Sequence, residues 1–353
     1  MEDTLKVDLS VINGRYLEEI LGQPEALRAT WTSLSNNPVL YEIKQLRDKQ
    51  RFPRVLLTGM GSSYFGMHPL SIELGEDGWT PILMENSELI HHHAHLLKPS
   101  SLVIAVSQSG QSAETVRLLE RFGDKCVVLG VTNNKESTLA KQAKLVLLTE
   151  AGQETSVSCK TYVTALMTHE ALGAVLSGKD LAQRMSVLEG AADMVEAYLR
   201  GWKEHVVELS ELLQGVRNLY LTGRGRSLAA AGLGALMVKE AVSFQAEGMS
   251  SAAFRHGPME MAKPETLVLV MEGEENVSAL NRKLVADIRE RTGRAELIGP
   301  SAEIAALRIP GVSVHLLPIL EILTAQMLTL ALAVMAGREA GKFAHATKVT
   351  SEE

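Results

Sequence analysis

One stretch of the chain occurs twice in altered form, and that repetition limits the possible folds more than any composition figure. Arg54-Val-Leu-Leu-Thr-Gly-Met-Gly-Ser-Ser63 resembles Asn218-Leu-Tyr-Leu-Thr-Gly-Arg-Gly-Arg-Ser227. Each copy is an apolar strand running into Gly-x-Gly and then a helical stretch. A second apolar run follows each copy at almost the same offset, Ser101-Leu-Val-Ile-Ala-Val in one half and Thr266-Leu-Val-Leu-Val-Met in the other. A third follows in the same order, Cys126-Val-Val-Leu-Gly-Val and Arg294-Ala-Glu-Leu-Ile-Gly. Strands of near-continuous Val, Ile and Leu separated by amphipathic helices indicate parallel sheets covered on both faces. The expected fold is therefore α/β, two tandem doubly wound domains, each a parallel sheet flanked by helices.

The remaining pieces frame these halves. Residues 1–50 read as a leading helical segment with apolar positions at Leu17, Ile20, Leu21, Ala26 and Leu27, interrupted at Pro24. The domains are expected at 51–178 and 216–336, with a helical connector over 179–215 and a polar tail over 337–353. A chain of 353 residues is long enough for two cores. With 35 Lys and Arg against 42 Asp and Glu, its formal charge of -7 offers no general attraction for nucleic acid or anionic lipid. Cys126 and Cys159 form no CxxC pair, and the start MEDTLKVDLS has no signal-peptide pattern, so a reducing, cytoplasmic setting is expected. The apolar stretch Leu316 to Ala336 is broken by Glu321, Thr324, Gln326 and Thr329 and reads as a buried helix, not a membrane span.

Ser107-Gln-Ser-Gly-Gln-Ser112 directly follows an apolar strand and precedes a helical stretch. Hydroxyls, an amide, a glycine and a helix N-terminus suit a phosphate, whose oxygens accept from N–H and O–H donors. Gly59-Met-Gly-Ser-Ser63 offers a second such turn, and open α/β sheets place ligands at these strand ends. The competing reading is that serine and glycine merely cap helices. A dinucleotide reading fails because Gly-x-Gly-x-x-Gly would need glycine where Tyr64 and Leu228 stand. Glu240, late in an apolar helical stretch, has the setting of a general base. His256 precedes Gly257-Pro258, where a turn would hold an imidazole in the open. Alternatively Glu240 pairs with Lys239 or Arg255 and His256 is a surface residue.

Taken in order, these motifs resemble the sugar isomerase (SIS) domain family, in particular the isomerase half of the glutamine:fructose-6-phosphate amidotransferases. The resemblance runs from Glu18-Glu-Ile-Leu-Gly-Gln-Pro-Glu-Ala26 through Gly61-Ser-Ser63, Ser107-Gln-Ser-Gly110, Lys239-Glu240 and His256-Gly-Pro258 to Lys348-Val-Thr350. It implies that Ser63, Ser107, Gln108, Ser109 and Ser112 bind a sugar phosphate, with Ser62 and Ser158 as additions. It further implies that Glu240 moves a proton between C1 and C2, and that His256 opens the sugar ring from the neighbouring subunit of a homodimer. Lys348 would cover the site and engage the carbonyl carbon, which requires a neutral amine.

Several positions depart from that pattern. Residue 2 is Glu2, not a nucleophilic cysteine, so no glutaminase activity is expected. Met237 replaces a lysine one turn before Glu240. The stretch Thr155-Ser-Val-Ser-Cys-Lys160 is one residue short, and an Asp-x-Pro-Arg segment is missing before the tail. The resemblance therefore implies an enzyme acting on an amino-sugar or ketosamine 6-phosphate by isomerisation, deamination or deglycation, with no cofactor. The other class is a non-catalytic module that senses phosphosugar. His91-His-His-Ala-His95 has imidazoles at a zinc-binding spacing but no acidic third ligand, so a solvated helix face is expected and no metal is called for. Cys159 is expected to pack, not to attack.

Overall fold

A computed structural model describes residues 8–50, 52–291, 293–345, 347, 348, 350 and 352. Among these, strands β1 (Arg54–Gly59), β2 (Pro81–Glu85), β3 (Ser101–Val106), β4 (Val127–Thr132) and β5 (Leu145–Leu148) form one parallel sheet in the order β2-β1-β3-β4-β5. A second parallel sheet joins β6 (Asn218–Gly223), β7 (Ala246–Ser250), β8 (Thr266–Met271) and β9 (Arg294–Ile298) in the order β7-β6-β8-β9. The repeat extends to the register: Arg54 pairs with Ser101, and its counterpart Asn218 pairs with Thr266. Tandem helix-flanked parallel sheets are thus present as expected.

The central strands β1, β3, β6 and β8 are almost wholly buried, which is why their sequences are unbroken apolar runs. The strands without such a run lie at the sheet edges. β2 and β7 are mostly half-buried, and β5 has only four residues. β7 reads Ala-Glu-Gly-Met-Ser because Gly248 must accept a neighbouring helix: a Cβ there would lie 2.4 Å from the carbonyl oxygen of Ala231.

The chain divides into two compact units, each built from separated segments. The first unit, around β1–β5, contains Glu25–Glu154, Lys160–Ala192 and the tail from His345. The second, around β6–β9, contains the segment ending at Pro24, Thr155–Cys159 and Asp193–Ala344. The stretch read as a connector forms the helices Leu181–Glu189, Ala191–Leu199 and Trp202–Leu212. The leading segment breaks at Gly22 instead of Pro24, between helices Arg15–Leu21 and Gln23–Ser35. Pro24 occupies the first turn of the latter, where its missing N–H leaves no intrahelical bond unmade. The expected helical face of His91 and His95 is also absent, since helix Asn86–His91 ends there and His95 falls in the short 3-10 turn Ala94–Leu96.

Helix Leu317–Met335 is long and apolar enough to cross a membrane by length and composition, yet it is buried within the second unit. Its polar residues have partners there. Gln326 and Gln23 exchange side-chain hydrogen bonds of 2.7 and 2.9 Å, and Thr329 donates to the Tyr16 hydroxyl at 3.1 Å. In the first unit the buried Arg184 donates to Glu73 at 2.8 Å and to Glu170 at 2.6 Å. Arg184→Met should destabilise the protein by about 3–5 kcal/mol in urea unfolding, because two buried carboxylates lose their shared counter-charge. A loss below about 1 kcal/mol would show that this cluster contributes little.

Candidate functional site

In the first unit the strand order reverses between β1 and β3, so the loops leaving their carboxyl ends face a common crevice. One loop leads from Gly59 into the short helix Ser62–Phe65, and the other is Ser107–Ser112, leading into helix Ala113–Phe122. A small cleft here is lined by Ser62, Ser63, Gln108, Thr132, Thr149 and Thr161 among others, with no Lys or Arg among the described lining residues. The structure thereby brings Ser62, Ser63 and Gln108 together.

The serines do cap locally, as the competing reading required. Ser107 Oγ accepts from the Gly110 amide at 3.1 Å and Ser109 Oγ from the Gln111 amide at 3.2 Å. Accepting uses a lone pair and leaves each O–H as a donor, so capping and anion binding are compatible. Gly110 makes the turn possible. Its φ of 61° is left-handed, and a Cβ would fall 2.2 Å from Ser137 Oγ. Thr132 Oγ1 and the Asn133 amide donate to the Gln108 carbonyl, holding the loop to the end of β4. The other loop is held from behind by His169, whose Nδ1–H donates to the Gly66 carbonyl at 2.9 Å. Burial pushes the His169 pKa down to about 4, against that hydrogen bond, and keeps the ring neutral.

Lys348 is also placed in this unit. Its Nζ lies 2.8 Å from Glu154 Oε2, and Glu154 also accepts from Thr161 N at 3.1 Å and Thr161 Oγ1 at 2.5 Å. The carboxylate side chain is fully buried at the start of helix Lys160–Leu176, where the helix dipole favours negative charge. Two residues on, the Thr350 carbonyl accepts from the Ala113 amide at 3.1 Å, beside Ser112. Glu154 was not among the sequence candidates. Its only signal was a carboxylate placed shortly before a helix start.

Glu240, His256 and Ser158 belong to the second unit. Glu240 is half-buried in the last turn of helix Leu228–Val242, which starts at the carboxyl end of β6 and returns to the start of β7. His256 is exposed, follows β7 and helix Ser251–Arg255, and caps that helix. The two therefore lie at opposite ends of their sheet, and one chain does not bring them together. Arg255 pairs with Asp287 at 2.7 Å. Ser158 is half-buried in a segment held by Glu19, which accepts from the amides of Thr155 and Ser156. Ser156 Oγ donates to the Gly341 carbonyl, and the Gly341 amide donates to Ala241 O, beside Glu240. Cys159 is buried, as expected.

The second sheet has a matching crevice, and it is filled. By the shared register, Glu272 and Glu274 stand where Ser107 and Ser109 stand, and Arg226 where Ser62 stands. Arg226 pairs with Glu274 at 2.9 Å, with both side chains largely buried. Glu272 accepts from the amide and hydroxyl of Ser301. Carboxylates at these positions repel a phosphate where serines would receive one.

A family model described as SIS domain matches residues 49–175 and 212–336. The glutamine–fructose-6-phosphate aminotransferase (isomerizing) of Pyrococcus horikoshii is 29% identical over 336 residues, covering 91% of this chain and 55% of its own length. The chain thus spans about half the length of such curated relatives. The C-terminal domain of glucosamine-fructose-6-phosphate aminotransferase from Francisella tularensis superposes with a TM-score of 0.82 at 21% identity, covering 94% of this chain and 98% of that one. Glucosamine-6-phosphate deaminase from Thermotoga maritima gives 0.76 at 20% identity, with 96% and 100% covered.

Glu321, behind the filled crevice, yields a pH prediction. It is fully buried and accepts from Ser227 Oγ at 2.7 Å. Burial pushes its pKa up to about 8, with the Ser227 bond opposing and Glu274 adding to the shift. The folded chain then keeps a proton that the unfolded chain releases near the ordinary value of 4.5, so stability should fall as pH rises from 4.5 to about 8. Glu321→Gln should remove that part of the slope in urea midpoints measured across this range. Equal slopes for both proteins would show that Glu321 is ionised in the fold.

Proposed function

We propose, from the premise that this chain belongs to the SIS domain family, that it is an enzyme acting on an amino-sugar or ketosamine 6-phosphate. The observation that carries this reading is the hydroxyl-lined crevice of the first unit beside its carboxylate-filled counterpart in the second. Ser62, Ser63, Ser107, Gln108, Ser109 and Ser112 take the phosphate through hydroxyl, amide and backbone donors. Ser158 adds a further hydroxyl to the substrate. Glu240 removes a proton from one carbon of the C1–C2 pair and returns it to the other. Isomerisation, deamination and deglycation share that step.

The protein works as a homodimer in which His256 opens the sugar ring in the partner's site. The placement of Glu240 and His256 at opposite ends of one sheet supports this division. Lys348, held by Glu154 as an ammonium, closes the tail over the phosphate loops and must lose a proton before it can engage a carbonyl carbon.

The test is incubation with hexosamine and fructosamine 6-phosphates, reading ammonia, free amino acid, ketose and C1 or C2 proton exchange by NMR. Turnover of one class is expected, and binding without proton exchange would overturn the enzymatic reading in favour of a sensor. Ser107→Ala and Ser109→Ala should each weaken binding by about 1.5–3 kcal/mol, the worth of a hydrogen bond to a charged acceptor. Unchanged affinity in calorimetry would remove the site from this crevice. Glu240→Gln and His256→Ala should each lose about 10²- to 10⁴-fold in rate. Mixed dimers of the two should regain about half the wild-type rate, since one of two sites is then complete. Mixed dimers as inactive as their parents would refute the shared site.

A further inference from the structure

The geometry points to a buried, one-way hydrogen-bond relay, Thr58 to Asn86 to Thr115, that sets Ser112 as a donor toward the phosphate. It rests on the reading of this crevice as a phosphate site. Thr58 is the penultimate residue of β1, Asn86 opens the helix after β2, and Thr115 lies one turn into the helix after Ser112. Asn86 stands 2.7 Å from Thr58 Oγ1 and 3.1 Å from Thr115 Oγ1, and Thr115 Oγ1 stands 2.8 Å from Ser112 Oγ. Thr58, Asn86 and Thr115 are essentially fully buried, while Ser112 is only half-buried.

Proton accounting gives the chain its direction. The Thr58 hydroxyl has Asn86 as its one side-chain partner among the described residues, so its proton goes to Asn86 Oδ1. That fixes the amide, and Nδ2–H is directed at Thr115 Oγ1. Thr115 has accepted one bond, and the acceptor facing its own proton is Ser112 Oγ. Ser112 then receives a hydrogen bond from within and turns its proton outward. A phosphate offers acceptors only, and an outward donor is the hydroxyl state it needs. Each link also strengthens the next by polarisation.

The second unit lacks this device where it lacks the open crevice. Thr222 repeats Thr58, but Ser251 replaces Asn86 and lies at 3.5 Å from it, too short a side chain to reach onward. Counted from the ends of β3 and β8, Leu280 takes the place of Thr115 and is exposed.

Thr115→Val keeps the shape and removes the relay, and Thr115→Ser restores the hydroxyl. With fructose 6-phosphate as the probe in calorimetry, Ser112→Ala and Thr115→Val should each weaken binding about tenfold or more. The double variant should be no weaker than Ser112→Ala alone, and Thr115→Ser should bind as wild type. A Thr115→Val protein with wild-type affinity, or additive losses in the double variant, would overturn the relay while leaving the phosphate site standing. A Ser112→Ala protein with wild-type affinity would remove the site from this serine and the relay with it. Thermal melting of each variant separates a lost fold, which would lower Tm and abolish rescue by serine, from a lost donor.

Discussion

A parallel sheet sends every strand end of one sense to the same edge, and a doubly wound order opens that edge at a single place. Here the place lies between β1 and β3 in one sheet and between β6 and β8 in the other. Everything chemical in the first unit follows from it. The phosphate loops leave those two strands, their hydroxyls are positioned by residues at the adjoining ends of β2 and β4, and the tail lysine is received at the start of a helix in the same unit. Because the register is the same in both sheets, the second crevice serves as an internal control. Its backbone is prepared in the same way, and Arg226 with Glu274 fills the place that Ser62 and Ser109 leave to a ligand.

The fold was legible where burial dictated composition. Central strands buried on both faces must be apolar throughout, and Ser101–Val106 and Thr266–Met271 occupy the residues their sequences predict. Edge strands carry no such requirement, so Pro81–Glu85 and Ala246–Ser250 were invisible as strands. The same limit governed the site. Ser107, Ser109 and Gly110 are conspicuous because several turn-forming residues adjoin in sequence. Asn86, Thr115, Glu154 and His169 are scattered, and each earns its role only through a partner far along the chain. Pairwise chemistry of that kind leaves no local pattern.

Buried charge shows a related division between the units. The first unit compensates its buried carboxylates with cations: Glu73 and Glu170 share Arg184, and Glu154 takes Lys348. In the second unit, Glu321 receives only a hydroxyl, and its proton stays on. A neutral acid is compatible with an apolar helix that must pack along its whole length, whereas an ionised one would demand a partner inside that core.

The way the chain is shared between the units bears on how it can be assembled. It changes unit after Pro24, on both sides of Thr155–Cys159, after Ala192 and again before His345. No single cut, therefore, yields a fragment holding one sheet with all of its own supporting segments. During synthesis the first sheet emerges early, yet the carboxylate of Glu154 waits for Lys348 and the Ala113 amide for Thr350, both among the last residues made. The two repeats look like separable modules in sequence, but the wiring makes the completed protein a late event, with long-range closures that slow folding. A fusion or truncation that blocks the final residues would act on the part of the molecule that was translated first.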